Sequence, residues 1–411
     1  MYIIGGSIIS SLGFTTEENY DAVKQGISGI KHYESGIFGL PEPFMAALIN
    51  KERLQDEFST ALNKNRLHYI STTALTSLEI ASILSVLNAN KEMQIDLSNN
   101  RTIFILSSTK GNIEFLDMRL IDMKYEIANN LNSQIYLWRT AELIAEFFGN
   151  PNTPIVISNA CISGAAAQIV AMRSLQSRKY DYAVVVGVDL LSKFIISGFQ
   201  SFKALSSELC KPFDKNRSGL NLGEAAATMI MSNEQLTMNN GVRLVVGAIR
   251  NDATHISAPS RIGEGSYRAL QAILTPLTSH LSPLTSQIAF INAHGTATSY
   301  NDAMEMNAIV RTGLENVPVN GLKGYFGHTL GAAGLVETII SMQALSDGIV
   351  LKTLGFEENE QLTINDEQFS LMICRENIQT DKKYFIKMMS GFGGVNVALL
   401  YENIATNYNE N

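Results

Sequence analysis

The chain has 411 residues, 45% hydrophobic and only 17% charged. That composition excludes a disordered or low-complexity protein, and the length suffices for two intimately packed halves. A formal net charge of -8 argues against nucleic acid as the main ligand, because a phosphate backbone needs a basic face.

Taken in order, Tyr2 to Ile4 read as a first strand, followed by Gly5-Gly6 and a second apolar pulse at Ile8-Ile9. Met1 to Gly6 lacks the basic and long apolar regions of a signal peptide. No apolar run reaches the roughly 18 residues of a spanning helix, so a cytoplasmic protein without membrane insertion is expected. Thr15-Thr16-Glu17-Glu18 is an N-cap with an acidic first turn and predicts a helix up to Gly26. Gly29 to Pro43 reads as loop and residues 48 to 66 as a surface helix. Ile70 to Leu87 reads as a buried or amphipathic helix. Thr102 to Leu106 reads as a buried strand, and Ile113 to Asn130 and Tyr136 to Phe148 as helices.

Pro154 to Gly164 is the stretch around which the chain is organised. Ile155 to Ile157 predict a short strand, and Gly164 to Met172 a helix with Ala165, Ile169 and Met172 at helical spacing. Cys161 falls where strand turns into helix. It reads either as a buried structural thiol or as a nucleophile whose pKa is lowered by the helix N-terminus. Ala160, Gly164, Ala165, Ala166 and Ala167 are small enough for other backbone to approach. With Cys210 and Cys374, Cys161 has neither metal-ligand spacing nor an even disulfide count, which fits a reducing compartment.

Tyr182 to Val188 has the continuous apolar pattern of a strand covered on both faces. Phe194 to Leu209 reads as loop with some helix, and Gly223 to Met231 as a buried run. Asn239-Asn240-Gly241 is a turn and the expected boundary between a half at 1–240 and a half at 241–411. Leu244 to Ile249, Ile288 to Asn292, Tyr384 to Met389 and Val395 to Leu400 predict strands. Ser266 to Leu277, Asp302 to Val310 and Gly331 to Leu345 predict helices. The alternation defines an α/β class with largely parallel sheets. Glu402 to Asn411 reads as a polar tail.

Further stretches could carry chemistry. Asn292-Ala-His-Gly-Thr-Ala-Thr298 puts His294 on a loop at a strand end, either facing a cleft or satisfied by backbone. Lys323-Gly-Tyr-Phe-Gly-His328 precedes a helix that contains Glu337; the helix N-terminus and Lys323 both disfavour imidazolium. A neutral His328 can donate to a developing oxyanion or serve as a polar cap. Ser390-Gly-Phe-Gly-Gly394 is followed by a strand pattern, which speaks against dinucleotide binding; its glycines let backbone N–H reach a reacting carbonyl. Lys211-Pro-Phe-Asp-Lys-Asn-Arg217 is a charged turn. Ser108-Thr-Lys110 lacks the Gly frame of a phosphate loop, and the chain has no Gly-x-Ser-x-Gly elbow and no His-Glu-x-x-His zinc motif.

Five of these motifs in order, Ala-Cys-x-Ser-Gly, Pro-Phe-Asp-x-x-Arg, Asn-Ala-His-Gly-Thr-x-Thr, Lys-x-x-x-x-His-x-x-Gly-Ala-Ala-Gly and Gly-Phe-Gly-Gly, resemble the elongating β-ketoacyl-acyl-carrier-protein synthases. These are condensing enzymes of the thiolase-like class. The resemblance runs from Gly5 to Asn396. It implies a five-layered α-β-α-β-α fold of two similar halves and a dimer, either a homodimer or a heterodimer with a related subunit. It implies that Cys161 takes an acyl chain from acyl carrier protein, that malonyl carrier protein then loses carbon dioxide, and that the enolate attacks the acyl thioester. In the same reading His294 and His328 hold the malonyl thioester oxygen, and the N–H groups of Cys161 and Phe392 form the oxyanion hole. Lys323 and Glu337 form a supporting ion pair with Lys323 near His328. Asp302 and Glu305 order the histidine loop, and Thr296 and Thr298 touch the pantetheine arm. No bound cofactor or metal is implied, since phosphopantetheine arrives on the carrier. The acidic carrier calls for a locally basic docking face, with Lys64, Arg66, Lys203 and Lys211 as candidates.

The chain departs from that pattern in places. Ser107-Ser-Thr-Lys-Gly-Asn112 stands where elongating synthases carry a Gly-rich loop near the acyl pocket and dimer interface. Ser218 to Ala225 differs from the usual Asp-Gly-Phe-Val-x-Gly-Glu-Gly, and Ile162 replaces a small residue. These departures resemble ketosynthases of aryl polyene or flexirubin-type pathways, which pair with a chain-length-factor subunit. A cysteine hydrolase needs neither two histidines nor the Gly391 loop. A degradative thiolase carries a second cysteine, and a coenzyme A-primed synthase carries Asn in place of the second histidine. A non-catalytic partner subunit lacks the nucleophile that this chain has.

Overall fold

The computed structural model describes residues 1–65, 75–115, 133–235, 241–278, 285–359, 361–364 and 367–404. The expected helix over Ile113 to Asn130, the start of the one at Ile70, Arg66, the Asn239-Asn240 turn and the end of the tail lie outside them.

Ten strands form the main sheet. Those of the first half are β1 (Tyr2–Ser10), β2 (Thr102–Ser107), β3 (Ile155–Ile157), β4 (Tyr182–Asp189) and β5 (Ala225–Ser232). Those of the second are β6 (Val242–Asn251), β7 (Ile288–Asn292), β8 (Val319–Asn320), β9 (Tyr384–Gly391) and β10 (Val395–Asn403). The spatial order is β3-β2-β4-β5-β1 followed by β6-β10-β9-β7-β8. Read from the outer edge inward, each half has the same order: third, second, fourth, fifth, first. The duplication that is faint in the sequence is plain in this topology. Within the sheet the halves meet at one pair, Tyr2 opposite Arg243.

The sheets are mixed rather than largely parallel. β2 runs parallel to β3 and β4, and β7 parallel to β8 and β9. β4–β5, β5–β1, β9–β10 and β10–β6 are antiparallel. For β9 and β10 the physical reason is connection length. Gly391 to Val395 joins β9 to β10 as a hairpin, whereas a parallel crossover needs about a dozen residues or more.

The described helices are α1 (Thr16–Gln25), α2 (Lys51–Asn65), α3 (Ser77–Ala89), α4 (Leu137–Phe147), α5 (Ser163–Gln176), α6 (Lys193–Ser201), α7 (Glu264–Thr278), α8 (Ser299–Arg311), α9 (Lys323–Phe326) and α10 (Ala333–Ser346). Strand alternation sets the layers. Ile103 and Ile105 face a central core with α5 and α10, while Phe104 and Leu106 face α3 and α4. In the second half Phe385 and Met389 face the central core, and Ile386 and Met388 face α7 and α8. The result is α3/α4, sheet, α5/α10, sheet, α7/α8, the expected five layers. Part of the expected Gly29 to Pro43 loop is a strand: Lys31–Tyr33 pairs with Phe44–Ala47, which pairs in turn with Leu222–Gly223.

The small residues after Cys161 decide how the two central helices meet. A Cβ on Gly334 would lie 2.4 Å from Ala165 N, and one on Gly164 would lie 2.8 Å from Gly331 O. Backbone therefore packs on backbone. That contact brings the start of α5, with Cys161 before it, to the start of α10, with His328 before it. Gln168 ties the pair by donating to the carbonyls of both Gly164 and Gly334.

Candidate active site

Cys161 follows Ala160, whose φ is +46°. A residue with a Cβ rarely adopts that left-handed conformation. Here it turns the chain sharply between β3 and α5. The Cys161 thiol is nearly buried and lines a cavity of about 420 Å³. His294 and His328 line the same cavity. Cys161 Sγ lies 2.9 Å from Nε2 of His328, and the two imidazoles stand edge to face with centroids 5.1 Å apart. One ligand atom from each of the three side chains falls within 4.8 Å of the others. The sequence separates Cys161 from His328 by 167 positions; the α5–α10 contact closes that gap.

Each histidine is fixed from behind. Glu305, on α8, accepts the N–H groups of His294 and Gly295 at 2.7 Å each. Asp302 accepts the Phe213 N–H at 2.8 Å and lies 3.7 Å from Arg217 Nε. It thus ties the Pro-Phe-Asp turn to the start of α8. His328 donates its N–H to Asn221 O at 2.7 Å and accepts from Gly223 N at 3.0 Å. Thr296 and Thr298 hydrogen-bond each other at 2.9 Å on the cavity wall.

Lys323 forms the expected ion pair with Glu337, at 2.7 Å, but its imidazole partner is His294 and not His328. Its Nζ lies 3.2 Å from His294 Nδ1 and 2.6 Å from the His294 carbonyl oxygen. Lys323 is the first residue of the short helix α9, which directs its side chain under the His294 loop and away from His328. An ammonium only donates, so Nδ1 of His294 accepts and Nε2 carries the proton. Nδ1 of His328 is buried with no partner among the described residues. A proton on Nδ1 would leave a buried donor unsatisfied, so His328 also keeps its proton on Nε2. Both imidazoles therefore offer N–H donors to the cavity.

Burial drives both imidazoles well below the ordinary histidine range, and the Lys323 and Lys387 charges add to it. Both are neutral at physiological pH, as expected for His328, although burial and not the helix terminus is the main cause. Of the two readings of Cys161, the lowered thiol pKa is reversed. Burial pushes its thiol up to about 12, with Lys323 opposing. The resting side chain is a thiol, not a thiolate.

Phe392 is partly exposed at the cavity mouth. It stacks on Phe199 at 6.1 Å and meets Phe202 edge-on at 5.5 Å, and Phe199 meets the His328 ring edge-on at 6.5 Å. A Cβ on Gly391 would lie 3.3 Å from Cys161 N, so the Gly-Phe-Gly-Gly backbone runs against the nucleophile turn. Sequence reasoning missed Phe199 and Phe202, whose three-residue spacing on a helical stretch was the available signal. It also missed Lys387. This wholly buried lysine is 2.5 Å from the other Glu337 oxygen and 3.3 Å from Ala293 O.

Near Cys161, Lys110 pairs with buried Asp189 at 3.1 Å. Asp189 also accepts from Ser108 Oγ, Thr109 N, Thr109 Oγ1 and Gly331 N. Ser108, Thr109 and Lys110 thus close an ion-pair cluster around Asp189. Of the basic candidates, Lys203 is exposed on the cavity rim. Lys64 and Lys211 are not among the residues lining it.

Fold and site together define a thiolase-like condensing-enzyme architecture. Residues 2–236 match the N-terminal domain of beta-ketoacyl synthase, and residues 243–357 match its C-terminal domain. The chain belongs to the beta-ketoacyl synthase family. It is 30% identical over 266 residues to 3-oxoacyl-[acyl-carrier-protein] synthase 2 of Vibrio harveyi, a match covering 61% of this chain and 62% of that protein. It is 25% identical over 432 aligned positions to a putative mitochondrial 3-oxoacyl-[acyl-carrier-protein] synthase of Schizosaccharomyces pombe, covering 97% and 98%. Among solved structures it is similar to a ketosynthase (ApeO) in complex with its chain length factor (ApeC) from Xenorhabdus doucetiae. The TM-score there is 0.80 at 21% identity, over 98% of this chain and 97% of that one. Among the described residues no helix is long and apolar enough to cross a membrane.

Proposed function

We propose that this protein is a β-ketoacyl-acyl-carrier-protein synthase that joins a Cys161-bound acyl chain to the two carbons of a malonyl thioester. The convergence of one thiol and two neutral N–H-donating imidazoles in a single cavity carries this reading. In the first half-reaction the thiol attacks the carbonyl of an acyl-pantetheine thioester. The oxyanion that forms is held by the N–H groups of Cys161 and Phe392. The C–S bond to pantetheine breaks, and the thiol proton leaves on the departing pantetheine sulfur. The start of α5 and the Nε2–H of His328 stabilise negative charge on Sγ as it develops.

In the second half-reaction the malonyl thioester oxygen sits between the two Nε2–H groups. The bond to the carboxylate breaks, carbon dioxide leaves, and the electron pair moves onto that oxygen. Electrostatic stabilisation of this kind supplies about 3–4 kcal/mol per donor. The enolate carbon then attacks the acyl carbonyl, the C–S bond to Cys161 breaks, and the released thiolate takes a proton from solvent. Thr296 and Thr298 offer hydroxyls to the pantetheine arm. The arm arrives on an acidic acyl carrier protein that docks beside Lys203, in the cytoplasm.

Fatty acid elongation is the first substrate assignment, supported by the curated relatives. A ketosynthase working with a chain-length-factor partner is the second. The buried Lys110–Asp189 pair favours it, because a polar cluster occupies the ground near Cys161, and ApeO is solved with such a partner. Mass spectrometry of reactions with malonyl carrier protein separates them. Two-carbon extension of saturated acyl chains supports the first assignment. Extension of only unsaturated or aryl primers, or only when a related subunit is added, supports the second. Absence of any malonyl-dependent product in all of these conditions refutes both.

A further inference from the structure

Lys387 projects from β9, where it lies opposite Asn292 of β7. Its side chain is fully buried, as are those of Lys323 and Glu337. Glu337 holds Lys323 at 2.7 Å on one oxygen and Lys387 at 2.5 Å on the other. Lys387 also donates to the carbonyl of Ala293, the residue before His294, at 3.3 Å. One carboxylate thus serves two ammonium groups directly beneath the His294 loop.

A buried ion pair normally cancels its own charge, because an uncompensated buried charge is costly. Within this trio two ammonium groups share one carboxylate. Glu305, the next acidic group bearing on Lys387, already accepts the N–H groups of His294 and Gly295 and the side chain of Asn301. The imidazoles it lies near are neutral. Accepting neutral N–H groups leaves the Glu305 charge in place, but burial pushes that carboxyl up, so near neutral pH it offsets the Lys387 ammonium only in part.

We propose that Lys387 is a positioning residue for the malonyl half-reaction: it occupies the second Glu337 oxygen, so that Lys323 stays on His294, and adds positive charge beneath the His294 loop that draws electrons onto the thioester oxygen. This rests on the condensing function proposed above. It assigns nothing to Lys387 in the transfer of the acyl chain to Cys161.

Burial pulls the Lys387 ammonium from its usual range down to about 8, with Glu337 opposing and Lys323 reinforcing. The groups facing it are Glu337 from α10, Lys323 from α9, Glu305 from α8, and the imidazoles of His294 and His328. The charge is present below about 8 and lost as pH rises through that value. The malonyl half-reaction then has an alkaline limb near pH 8, while Cys161 acylation, which gains from thiolate, rises over the same interval.

The test measures both half-reactions on the full chain between about pH 6.5 and 9.5. Cys161 acylation from acyl carrier protein is read by intact mass, and kcat and KM for malonyl carrier protein are read by product. Variants are Lys387→Met and Lys387→Gln. The expected result for Lys387→Met is a kcat lower by about 10- to 100-fold near neutral pH. KM and acylation rate stay within about twofold, and the alkaline limb disappears. A Lys387→Met protein with unchanged kcat, or with the limb intact, overturns the proposal. If neither variant folds, the wild-type profile decides: no decline of the malonyl step above about pH 8 overturns it. A wild-type chain that neither acylates Cys161 nor consumes malonyl carrier protein overturns the condensing function, and this inference with it.

Discussion

Lys323 hydrogen-bonds Nδ1 of His294 at 3.2 Å, although it stands five positions before His328 in the chain. Its ammonium fixes the His294 tautomer and points the remaining N–H into the cavity. His328 reaches the same tautomer because Nδ1 has no partner among the described residues. Two different devices thus give two equivalent donors.

Lys323→Met removes the first device and leaves the second. Glu337 keeps Lys387 as a partner. We expect the malonyl half-reaction to fall by about 100-fold, while Cys161 acylation stays within severalfold. Separate assays of the two half-reactions check this. Equal losses in both would indicate a general collapse of the site instead.

His294→Ala and His328→Ala each delete one donor, at about 10²- to 10³-fold in the malonyl half-reaction. They differ in the acyl step, because only His328 touches Sγ. Acylation should slow in His328→Ala and remain near wild type in His294→Ala, as read by intact-mass kinetics.

The Cys161 thiol is pushed up to about 12 by burial. Its thiolate fraction therefore grows with pH throughout the working range. Alkylation of Cys161 by iodoacetamide should rise with pH without levelling off below about pH 10. A plateau near neutrality would mean that the helix terminus outweighs burial. Cys210 is likewise buried and pushed up to about 12, so peptide mapping must assign the adduct.

Much of the site was legible in the sequence because it sits at ends of regular elements. Cys161 lies between a readable strand and helix, and His294 follows the apolar run of β7. The small residues from Ala160 to Ala167 announced a close backbone approach, which became the α5–α10 contact. What was not legible depends on long-range packing. The direction of the Lys323 side chain is set by α9, a four-residue helix with no periodicity to read. Lys387 interrupts a strand pattern and finds its partner 50 positions away. The Cys161 thiol pKa depends on how much protein covers it, which a local motif does not report. The antiparallel β9–β10 pair hinged on the Gly391 to Val395 connector, read for its chemistry and not for its brevity.

The Lys110–Asp189 pair has side chains only 5% and 0% exposed. Lys110→Met leaves a buried carboxylate without its cation. We expect a loss of about 3 kcal/mol in stability, measured by urea unfolding. Lys110→Met combined with Asp189→Asn should recover part of it, since both charges are then gone. Additive losses in the double variant would deny the coupling.

Gly334→Ala places a Cβ 2.4 Å from Ala165 N. The central helices must then separate, at a cost of about 1–3 kcal/mol. Because the contact also sets the Cys161–His328 approach, condensation should fall by more than ten times while the protein remains folded by circular dichroism. Full activity in a folded Gly334→Ala protein would show that the approach tolerates the shift.

The central claim is that Cys161 carries the acyl chain that malonyl carbon extends. The most direct measurement is intact-protein mass spectrometry after incubation with acyl carrier protein, followed by malonyl carrier protein. The account predicts an acyl adduct that maps to Cys161 and is absent in Cys161→Ala. On adding malonyl carrier protein, the adduct should disappear as a β-ketoacyl product two carbons longer forms. No adduct on Cys161, or one that malonyl carrier protein leaves in place with or without a related subunit, would contradict the account.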